Sequence, residues 1–458
     1  MDASIFKAYD IRGLYRDQID EDSAWKIGHA AAQFLRSLLK GYERGQANSQ
    51  SLVVGRDMRS HSPALAKALI DGMTGSGANV IDIGMIDTPQ IYFAINHLGT
   101  CGGVQVTASH NPAQYNGFKI SGIQARPIGG DTGLQEIKHI ATSLRHTASA
   151  GKGQVISEDL TVPYKRHVRS FLDSNIKKLK IVIDASNGMA GAWVPLVFGD
   201  LDLDVIELNF EHNGTFKHDP NPLVESNLAE LKQTIIDKNA DVGVCFDGDA
   251  DRLMVMDETG RTIGCDLMTA LMAGYFLEKS PGSTIIYDLR SSWVVREEIL
   301  RHQGKPRRDR VGHAFMKKTL KDTKGVFGGE LSGHFYYRDN YYADSGMITL
   351  SHLLNILSAS SKPISELVKP LRRYSSTGEI NFEVEDKDAM MTRLAEKYST
   401  GEVDWLDGVT IQFSDWWFNC RPSNTEPLLR LNVEAKTADT LADKLGELKT
   451  MLGKPVAH

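Results

Sequence analysis

Short apolar runs alternate with longer amphipathic segments along the first 110 residues. Runs at 51–55, 79–84 and 103–107 predict strands, and the segments at 63–73 and 91–98 carry Leu, Ile and Ala at helical spacing. Strands separated by helices of this length are typical of right-handed βαβ crossovers in a largely parallel sheet. The N-terminal part of the chain is therefore predicted to be an α/β unit.

The same alternation begins again twice further along the chain. Apolar runs at 180–184, 204–208 and 241–246 predict the strands of a second unit. A run at 284–288, followed by an amphipathic segment at 293–300, opens a third unit. We interpret the three stretches as structural repeats of one α/β design.

The C-terminal part of the chain follows a different pattern. Predicted strands at 379–384, 409–418 and 428–434 are combined with predicted helices at 388–398 and 438–452. Strands that neighbour one another before a closing helix favour an α+β domain. The expected fold class is α/β, with three related mixed-sheet units and a C-terminal α+β domain.

A length of 458 residues suggests about three domains of ordinary size, whereas the hydrophobic pattern divides the chain into four. Polar stretches that contain glycine or proline separate the parts. The predicted domains are 1–152, 153–257, 258–369 and 370–458.

Composition excludes several classes of protein. Lys and Arg number 52 against 58 Asp and Glu, a formal charge of −6, which argues against a nucleic-acid binder because such a protein needs a basic face. No apolar run reaches the roughly 18 residues of a membrane span, and the N-terminus lacks the order of a signal peptide. The four cysteines form no CxxC pair, so a disulfide framework or a structural zinc site is not expected. We expect a cytoplasmic enzyme that binds neither nucleic acid nor membrane.

A polar turn at 107–112 follows the third predicted strand of the first repeat. Parallel sheets bind ligands at the carboxyl ends of their strands, and here Ser109 precedes His110 and Asn111. The motif suits a nucleophilic or phosphate-carrying serine, and an ordinary polar turn is the alternative. A hydrolase triad is disfavoured because the chain contains no GxSxG elbow.

Three carboxylates at alternate positions follow the third predicted strand of the second repeat. Asp247, Asp249 and Asp251 can converge on one hard divalent cation. A solvated acidic turn and an EF-hand calcium loop are the alternatives, but Arg252 stands where an EF-hand needs glycine and a strand precedes the motif. Mg²⁺ is favoured over Ca²⁺ because three carboxylates leave room for a phosphate oxygen and water.

Two further polar loops lie in the third and fourth predicted domains. In the loop at 328–334, Glu330 accepts hydrogen bonds and Ser332 both donates and accepts, which suits neighbouring sugar hydroxyls. In the loop at 421–427, Arg421 offers a planar donor fork beside short polar residues, which suits a phosphate. Taken alone, a glycine-rich hairpin and a surface turn explain the two loops equally well.

In this order and at these separations, the four motifs resemble those of the α-D-phosphohexomutase family, the bacterial phosphomannomutases and phosphoglucomutases. The resemblance covers the whole chain and includes the segments at 6–13, 115–119, 125–128 and 131–134. It implies four domains around a central cleft and an intramolecular phosphotransferase. Such an enzyme interconverts hexose 1-phosphate and hexose 6-phosphate, of mannose and/or glucose, through phosphorylated Ser109 and a 1,6-bisphosphate intermediate.

The resemblance also implies roles for individual residues. Beside Ser109, the implied catalytic residues are Arg12, His110, Lys119 and Arg252, with Lys119 or His110 as the proton acceptor. One Mg²⁺ per chain would be bound by Ser109, Asp247, Asp249 and Asp251. The implied substrate-binding residues are Tyr9, Arg290, His313, Lys317, Glu330, Ser332, His334, Arg421, Ser423, Asn424 and Thr425.

The resemblance leaves the sugar open, because Arg290 stands where some relatives have Lys and Leu331 stands where the sugar loops of this branch often have Met. A glucose-dominant mutase or a phosphoglucosamine-type mutase is the alternative within the family. A phosphatase that hydrolyses its phosphoserine and a non-catalytic sugar-phosphate or calcium-binding protein are the alternatives outside it. Hexose phosphates are the expected partners, a hexose 1,6-bisphosphate is the expected activator, and a monomer or weak homodimer is the expected state.

Overall fold

A computed structural model of the chain describes residues 1–39, 48–144, 152–423 and 428–456. The chain divides into two compact units, each built from two segments. Unit 1 contains Met1–Gly264 and Ser332–Leu367, and unit 2 contains Cys265–Leu331 and Val368–His458. Among the described residues, no helix combines the length and the apolar character that a membrane span requires.

The first part of unit 1 is a six-stranded mixed sheet with helices. Its strands are β1 (Ile11–Leu14), β2 (Ser51–Arg56), β3 (Asn79–Met85), β4 (Gly102–Val106), β5 (Tyr115–Gly122) and β6 (Val155–Ser157). Its helices are α1 (Glu21–Ser37), α2 (Ser62–Gly75), α3 (Thr88–Leu98) and α4 (Leu134–Ser143). The strand order is β1-β5-β4-β2-β3-β6. β2, β3, β4 and β6 are parallel, and β5 runs antiparallel between β4 and β1.

The second part of unit 1 is a five-stranded mixed sheet. Its strands are β7 (Lys180–Asp184), β8 (Asp204–Leu208), β9 (Val242–Phe246), β10 (Leu253–Asp257) and β11 (Thr262–Ile263). Its helices are α5 (Thr161–Arg169), α6 (Ala190–Phe198) and α7 (Ala229–Lys238). The strand order is β11-β10-β9-β7-β8, with β7 parallel to β8 and β9. The strands and helices predicted in the first part and the strands predicted in the second part are confirmed to within a few residues.

The first segment of unit 2 alternates helices and parallel strands. Its elements are α8 (Cys265–Lys279), β12 (Thr284–Asp288), α9 (Trp293–Arg301), β13 (Lys305–Asp309), α10 (His313–Asp322) and β14 (Phe327–Gly329). β12 pairs in parallel with both β13 and β14. The carboxyl end of β12 therefore begins a loop at the edge where a parallel sheet binds ligands.

The chain then returns to unit 1 through β15 (Phe335–Tyr337), β16 (Ala343–Asp344), α11 (Gly346–Ala359) and α12 (Ile364–Val368). Ser345 caps α11 by accepting a hydrogen bond from the Ile348 amide at 3.2 Å. Most of α11 is buried, and its Asn355 side chain accepts a hydrogen bond from the Asp173 amide at 2.9 Å. This helix is thus part of the unit 1 core.

The C-terminal segment of unit 2 is an antiparallel sheet with two helices. Its elements are β17 (Ser375–Glu383), α13 (Lys387–Lys397), β18 (Glu402–Asp404), β19 (Val409–Gln412), β20 (Trp416–Pro422), β21 (Leu428–Ala435), α14 (Ala438–Leu452) and β22 (Pro455–Val456). The strand order is β18-β19-β20-β21-β17-β22. Mixed α/β sheets and this C-terminal domain confirm the predicted fold class.

One predicted strand in this domain is wrong. The run at 409–418 is not a single strand but the hairpin of β19 and β20, closed by a 2.9 Å hydrogen bond from the Phe413 amide to the Trp416 carbonyl oxygen. Phe413 and Trp416 flank the turn, and because both are apolar the hydrophobic pattern continues through it. In the structure their rings stack with centroids 4.8 Å apart. Only Ser414 and Asp415 mark the turn in the sequence.

Candidate active site

Ser109 lies in the turn between β4 and β5, is 1% exposed, and has a left-handed φ of 51°. Its Oγ donates a hydrogen bond to Asp247 Oδ2 at 2.9 Å and lies 3.3 Å from His110 Nδ1. Its amide donates to Thr107 Oγ1 at 2.9 Å. A buried hydroxyl is thus held between a carboxylate and an imidazole, both of which can accept its proton.

Arg59, which is not among the residues predicted from the sequence, holds the backbone of the Ser109 turn. The guanidinium is fully buried and pairs through Nε with Asp57 Oδ2 at 3.1 Å. It donates to four carbonyl oxygens, those of Ser109, Asn111, Pro112 and Tyr115, at 2.9, 2.6, 2.7 and 3.0 Å. The available signal was the pair Asp57 and Arg59 directly after β2, at the ligand-binding end of a parallel strand.

Asp247, Asp249 and Asp251, here called the acidic cluster, are buried in the turn between β9 and β10. They offer carboxylate oxygens that lie within 4.8 Å of one another. Thr88 Oγ1 donates to Asp249 Oδ2 at 2.6 Å. The other oxygen, Oδ1, is buried and has no hydrogen-bond partner in the described part of the chain. An all-oxygen donor set with such an orphaned atom fits a hard divalent cation such as Mg²⁺.

The charges of the acidic cluster act strongly on one another. Burial, and then repulsion by Asp251 and Asp249, raises the pKa of Asp247 well above its usual range. Lys119 Nζ on β5 donates to Asp249 Oδ2 at 2.7 Å and to Asp251 Oδ2 at 2.6 Å. Burial alone would raise the pKa of Asp251, but Lys119 and His334 hold it well below its usual range. The cluster therefore has an excess of negative charge that a cation stabilises.

Arg252 and His334 meet beside Asp251. Arg252 Nε lies 3.3 Å from His334 Nε2, which lies 3.2 Å from Asp251 Oδ1. Ser332 Oγ lies 3.0 Å from the other ring nitrogen, Nδ1. The sequence motif places His334 in the predicted sugar-binding loop, and the structure brings it against the acidic cluster.

Arg12 brings a second guanidinium to the Ser109 turn. It lies on β1, donates to Asp10 Oδ2 at 2.5 Å, and also donates to Asn111 Oδ1. Tyr9 is half-buried in the bend before β1. Burial, and then the charges of Arg252 and Arg12, holds the pKa of His110 well below its usual range. The imidazole next to Ser109 is therefore neutral.

In unit 2, Arg290, Arg421 and Arg430, here called the arginine cluster, converge on Glu379. Its carboxylate lies 2.7 Å from Arg421 Nη2, 3.0 Å from Arg430 Nη1 and 3.4 Å from Arg290 Nη1. Burial alone would raise the pKa of Glu379, but these charges lower it to about 2. Three convergent guanidinium groups form a site for an anion.

Four other residues predicted to bind substrate lie in the first segment of unit 2: Arg290, His313, Lys317 and Glu330. Asp288, at the end of β12, pairs with Arg290 Nη2 at 2.8 Å and accepts from the Leu331 amide at 2.8 Å. It therefore joins Arg290 to the loop that carries Glu330, which is buried. His313 and the buried Lys317 lie one turn apart on α10.

Ser423 follows β20, and its amide donates to the Leu428 carbonyl oxygen at 2.8 Å. It therefore stands at the base of the loop that joins β20 to β21. Asn424 and Thr425 lie outside the described residues, so their assignments stay predictions.

A buried hydroxyl beside an acidic cluster, at the carboxyl ends of parallel strands, is the arrangement of a phosphoryl-transfer enzyme. Comparison of the sequence with models of protein families identifies the family of this enzyme. Models of the phosphoglucomutase/phosphomannomutase family match as alpha/beta/alpha domains I, II and III at 3–148, 163–260 and 265–374, and as the C-terminal domain at 379–448. The chain belongs to the phosphoglucomutase/phosphomannomutase family.

Individual relatives agree with this assignment. The phosphohexose mutases of Xanthomonas campestris pv. campestris (strain B100) are 39% identical over 455 residues, which is 98% of each chain. A phosphomannomutase of Vibrio cholerae serotype O1 is 38% identical over 461 residues, again 98% of each chain.

A solved structure of a Burkholderia thailandensis phosphoglucomutase/phosphomannomutase family protein has a TM-score of 0.89 and 32% identity, and the match covers 100% of this chain and 99% of that one. The resemblance inferred from the motifs is therefore confirmed. The chain is an enzyme, an intramolecular phosphotransferase.

Proposed function

We propose that the enzyme interconverts hexose 1-phosphate and hexose 6-phosphate, of mannose and/or glucose, through phosphorylated Ser109 and a hexose 1,6-bisphosphate. The observation that carries the proposal is the 2.9 Å hydrogen bond from Ser109 Oγ to Asp247. It supports a phosphoryl-accepting hydroxyl at the edge of a cation site. Relatives named phosphomannomutase, from Vibrio cholerae and Escherichia coli (strain K12), support mannose as one sugar.

A phosphate stored on the enzyme explains how it moves between two distant oxygens. Phosphorylated Ser109 gives its PO₃ unit to the free sugar hydroxyl, whose proton passes to a base on the enzyme. The bond from phosphorus to Ser109 Oγ breaks, Oγ takes up a proton, and a 1,6-bisphosphate forms. After the intermediate turns end for end, Ser109 Oγ gives its proton to the base and attacks the other phosphorus. The bond from that phosphorus to the sugar oxygen breaks, and the sugar oxygen takes up a proton. The enzyme and its phosphate are restored.

The charges around Ser109 suit this chemistry. A phosphoserine contributes nearly −2, and the acidic cluster would hold one Mg²⁺ together with a phosphate oxygen on Ser109. When bound, the ion stabilises negative charge on the transferring group. Arg12, Lys119 and Arg252 neutralise the remainder. His110 and Lys119 are the two proposed proton acceptors, and His110 Nδ1 lies 3.3 Å from Ser109 Oγ.

The remaining proposed residues bind the part of the substrate that does not react. We assign Arg421, Ser423, Asn424 and Thr425 to the second phosphate, and Glu330 and Ser332 to sugar hydroxyls. Further substrate contacts are assigned to Tyr9, Arg290, His313, Lys317 and His334. Because the intermediate turns, the site at Arg421 must accept both a 1-phosphate and a 6-phosphate.

We propose the domains 1–152, 153–257, 258–369 and 370–458 for the whole protein. We further propose that it is a cytoplasmic monomer or weak homodimer, that hexose 1,6-bisphosphate activates it, and that it binds neither nucleic acid nor membrane.

The test compares mannose 1-phosphate and glucose 1-phosphate side by side, with Mg²⁺ and a trace of hexose 1,6-bisphosphate. We expect hexose 6-phosphate to form without inorganic phosphate, and mass spectrometry to find one PO₃ unit on the Ser109 peptide. Ser109→Ala abolishes both, whereas Ser399→Ala, at an exposed serine, leaves both unchanged. Release of inorganic phosphate without hexose 6-phosphate would identify a phosphatase instead.

A further inference from the structure

Two arginines of the arginine cluster lie directly opposite each other in the C-terminal sheet. Arg421 on β20 pairs in register with Arg430 on β21. Like charges in this arrangement repel one another, and Arg421 is only 2% exposed, so solvent screens the repulsion poorly. The Glu379 carboxylate bridges the pair, at 2.7 Å from Arg421 and 3.0 Å from Arg430.

An irregularity in β17 presents this carboxylate. The register with β21 shifts between Ser376 and Glu379, and Gly378 within the shift has a left-handed φ of 65°. Thr377 Oγ1 accepts a hydrogen bond from the Val433 amide at 3.1 Å and stabilises the bulge. A β-bulge re-aims the side chains that follow it. The Glu379 side chain remains 24% exposed, so a ligand can reach it.

The guanidinium donors of the arginine cluster are not all used by carboxylates. Asp288 pairs with Arg290, and Glu379 contacts all three arginines. Glu330 and Asp407 add negative charge near Arg290 and Arg421. Arg421 Nε is buried and has no hydrogen-bond partner among the residues that the structure describes. A buried donor of Arg421 is therefore left for a ligand, and the oxygens of a sugar phosphate dianion can accept from it.

We propose that Glu379 is an internal counter-ion that competes with the sugar phosphate for Arg421, and so limits how tightly this site binds. The inference rests on the proposed function of Arg421. A phosphate monoester and the Glu379 carboxylate need the same guanidinium donors, and their like charges repel. Glu379 is a specificity-determining and positioning residue: it touches the phosphate-binding arginine and not the reacting atoms.

This competition has two consequences for turnover. A weaker grip lets the bisphosphate leave Arg421, turn, and return with its other phosphate, which must happen once per cycle. It also selects the anion, because a dianionic phosphate displaces a carboxylate more readily than a singly charged anion does. The same carboxylate would therefore raise KM and kcat together.

The test replaces the charge and keeps the shape. Glu379→Gln retains a carbonyl oxygen that can accept from Arg421, and Glu383→Gln, at an exposed position on the same strand, is the control. Calorimetry with the full chain measures binding of mannose 1-phosphate and of inorganic phosphate. We expect about 10-fold tighter binding in Glu379→Gln, a lower KM and a lower kcat, and no change in the control.

A second variant covers the case in which Glu379→Gln does not fold. Glu379→Asp keeps the charge but shortens its reach, so we expect binding tighter than in the wild type and weaker than in the Gln variant. Unchanged or weaker phosphate binding in a folded variant overturns the inference. Arg421→Lys separates the two proposals: if it leaves binding unchanged, the proposed role of Arg421 fails. If it weakens binding while neither Glu379 variant tightens it, only the counter-ion inference fails.

Discussion

The carbonyl oxygen of Ser109 accepts a 2.9 Å hydrogen bond from Nη2 of Arg59, 50 positions earlier in the chain. Ser109 has a left-handed φ of 51°, which a residue with a side chain adopts only when its surroundings impose it. Arg59 satisfies four carbonyl oxygens of this turn at once. The direction of the Ser109 hydroxyl therefore depends on a fully buried side chain that bonds to the backbone of the turn.

Arg59→Lys tests this dependence. A lysine ammonium is a single point and cannot reach four acceptors in the geometry of a guanidinium fork. We expect kcat to fall about 10- to 100-fold with KM nearly unchanged, and the free energy of unfolding to fall by about 1–3 kcal/mol. Steady-state kinetics and thermal melting measure both. Arg56→Lys, on β2, is the control. A rise in KM as large as the fall in kcat would contradict a positioning role.

Gly248 lets the acidic cluster approach the Ser109 turn. A Cβ atom at Gly248 would lie 2.4 Å from the Ser109 carbonyl oxygen, so Gly248→Ala must push Asp247 and Ser109 apart. We expect kcat to fall about 100-fold. Gly446→Ala is the matched control, because a Cβ there meets nothing within 4 Å and alanine favours α14 by up to about 1 kcal/mol. A fully active Gly248→Ala enzyme would show that the contact is not needed.

The proposed binding of Mg²⁺ by the acidic cluster predicts a change in stability as well as in activity. An ion that binds only the folded chain stabilises it by about 2.7 kcal/mol at 100 times its Kd. We expect Mg²⁺ to raise the melting temperature of the wild type and of Asp200→Asn, a surface control. Asp249→Asn should lose most of the rise, and EDTA should abolish turnover. An equal rise in Asp249→Asn would place the ion elsewhere.

Asp87 predicts a pH dependence of stability. Complete burial raises its pKa from 3.8 to about 8, while its carboxylate accepts hydrogen bonds from the Gln90 amide at 3.0 Å and the Tyr164 hydroxyl at 2.9 Å. Between these pH values the folded chain holds a proton that the unfolded chain has lost. The free energy of unfolding therefore falls as pH rises across this window, by up to about 1.4 kcal/mol per pH unit.

Asp87→Asn removes this titration. Melting temperatures of the variant and the wild type at pH 5, 6, 7 and 8 should differ increasingly in favour of the variant as pH rises. Asp71→Asn, at an exposed position paired with Lys67, should follow the wild type. A difference that stays constant with pH would show that Asp87 does not carry the proton.

Much of the fold could be predicted because hydrophobic periodicity is local. The strand at 180–184 and the helix at 438–452 match β7 and α14 at both ends. The run at 409–418 failed for the opposite reason: Phe413 and Trp416 are apolar on both sides of a turn, and periodicity does not distinguish a long strand from a tight hairpin.

Some residues of the candidate site could also be selected from the sequence, and others could not. Ser109 and the acidic cluster stand in short motifs after predicted strands, so the sequence alone was enough to select them as candidates. Arg59 and Glu379 were missed because their partners lie 50 and 42 residues away along the chain. Their roles come from tertiary contacts, which spacing alone does not reveal.

The order of segments in unit 1 affects how the protein is made. Its core needs α11, which packs against α5 and β10, yet α11 follows the whole of Cys265–Leu331 in the chain. A ribosome adds about 5–20 residues each second, so the nascent chain waits several seconds after Gly264 before its last core helix is made. During that interval the apolar surface that α11 will cover is open to chaperones, and a polypeptide truncated before Ser332 would stay incompletely folded.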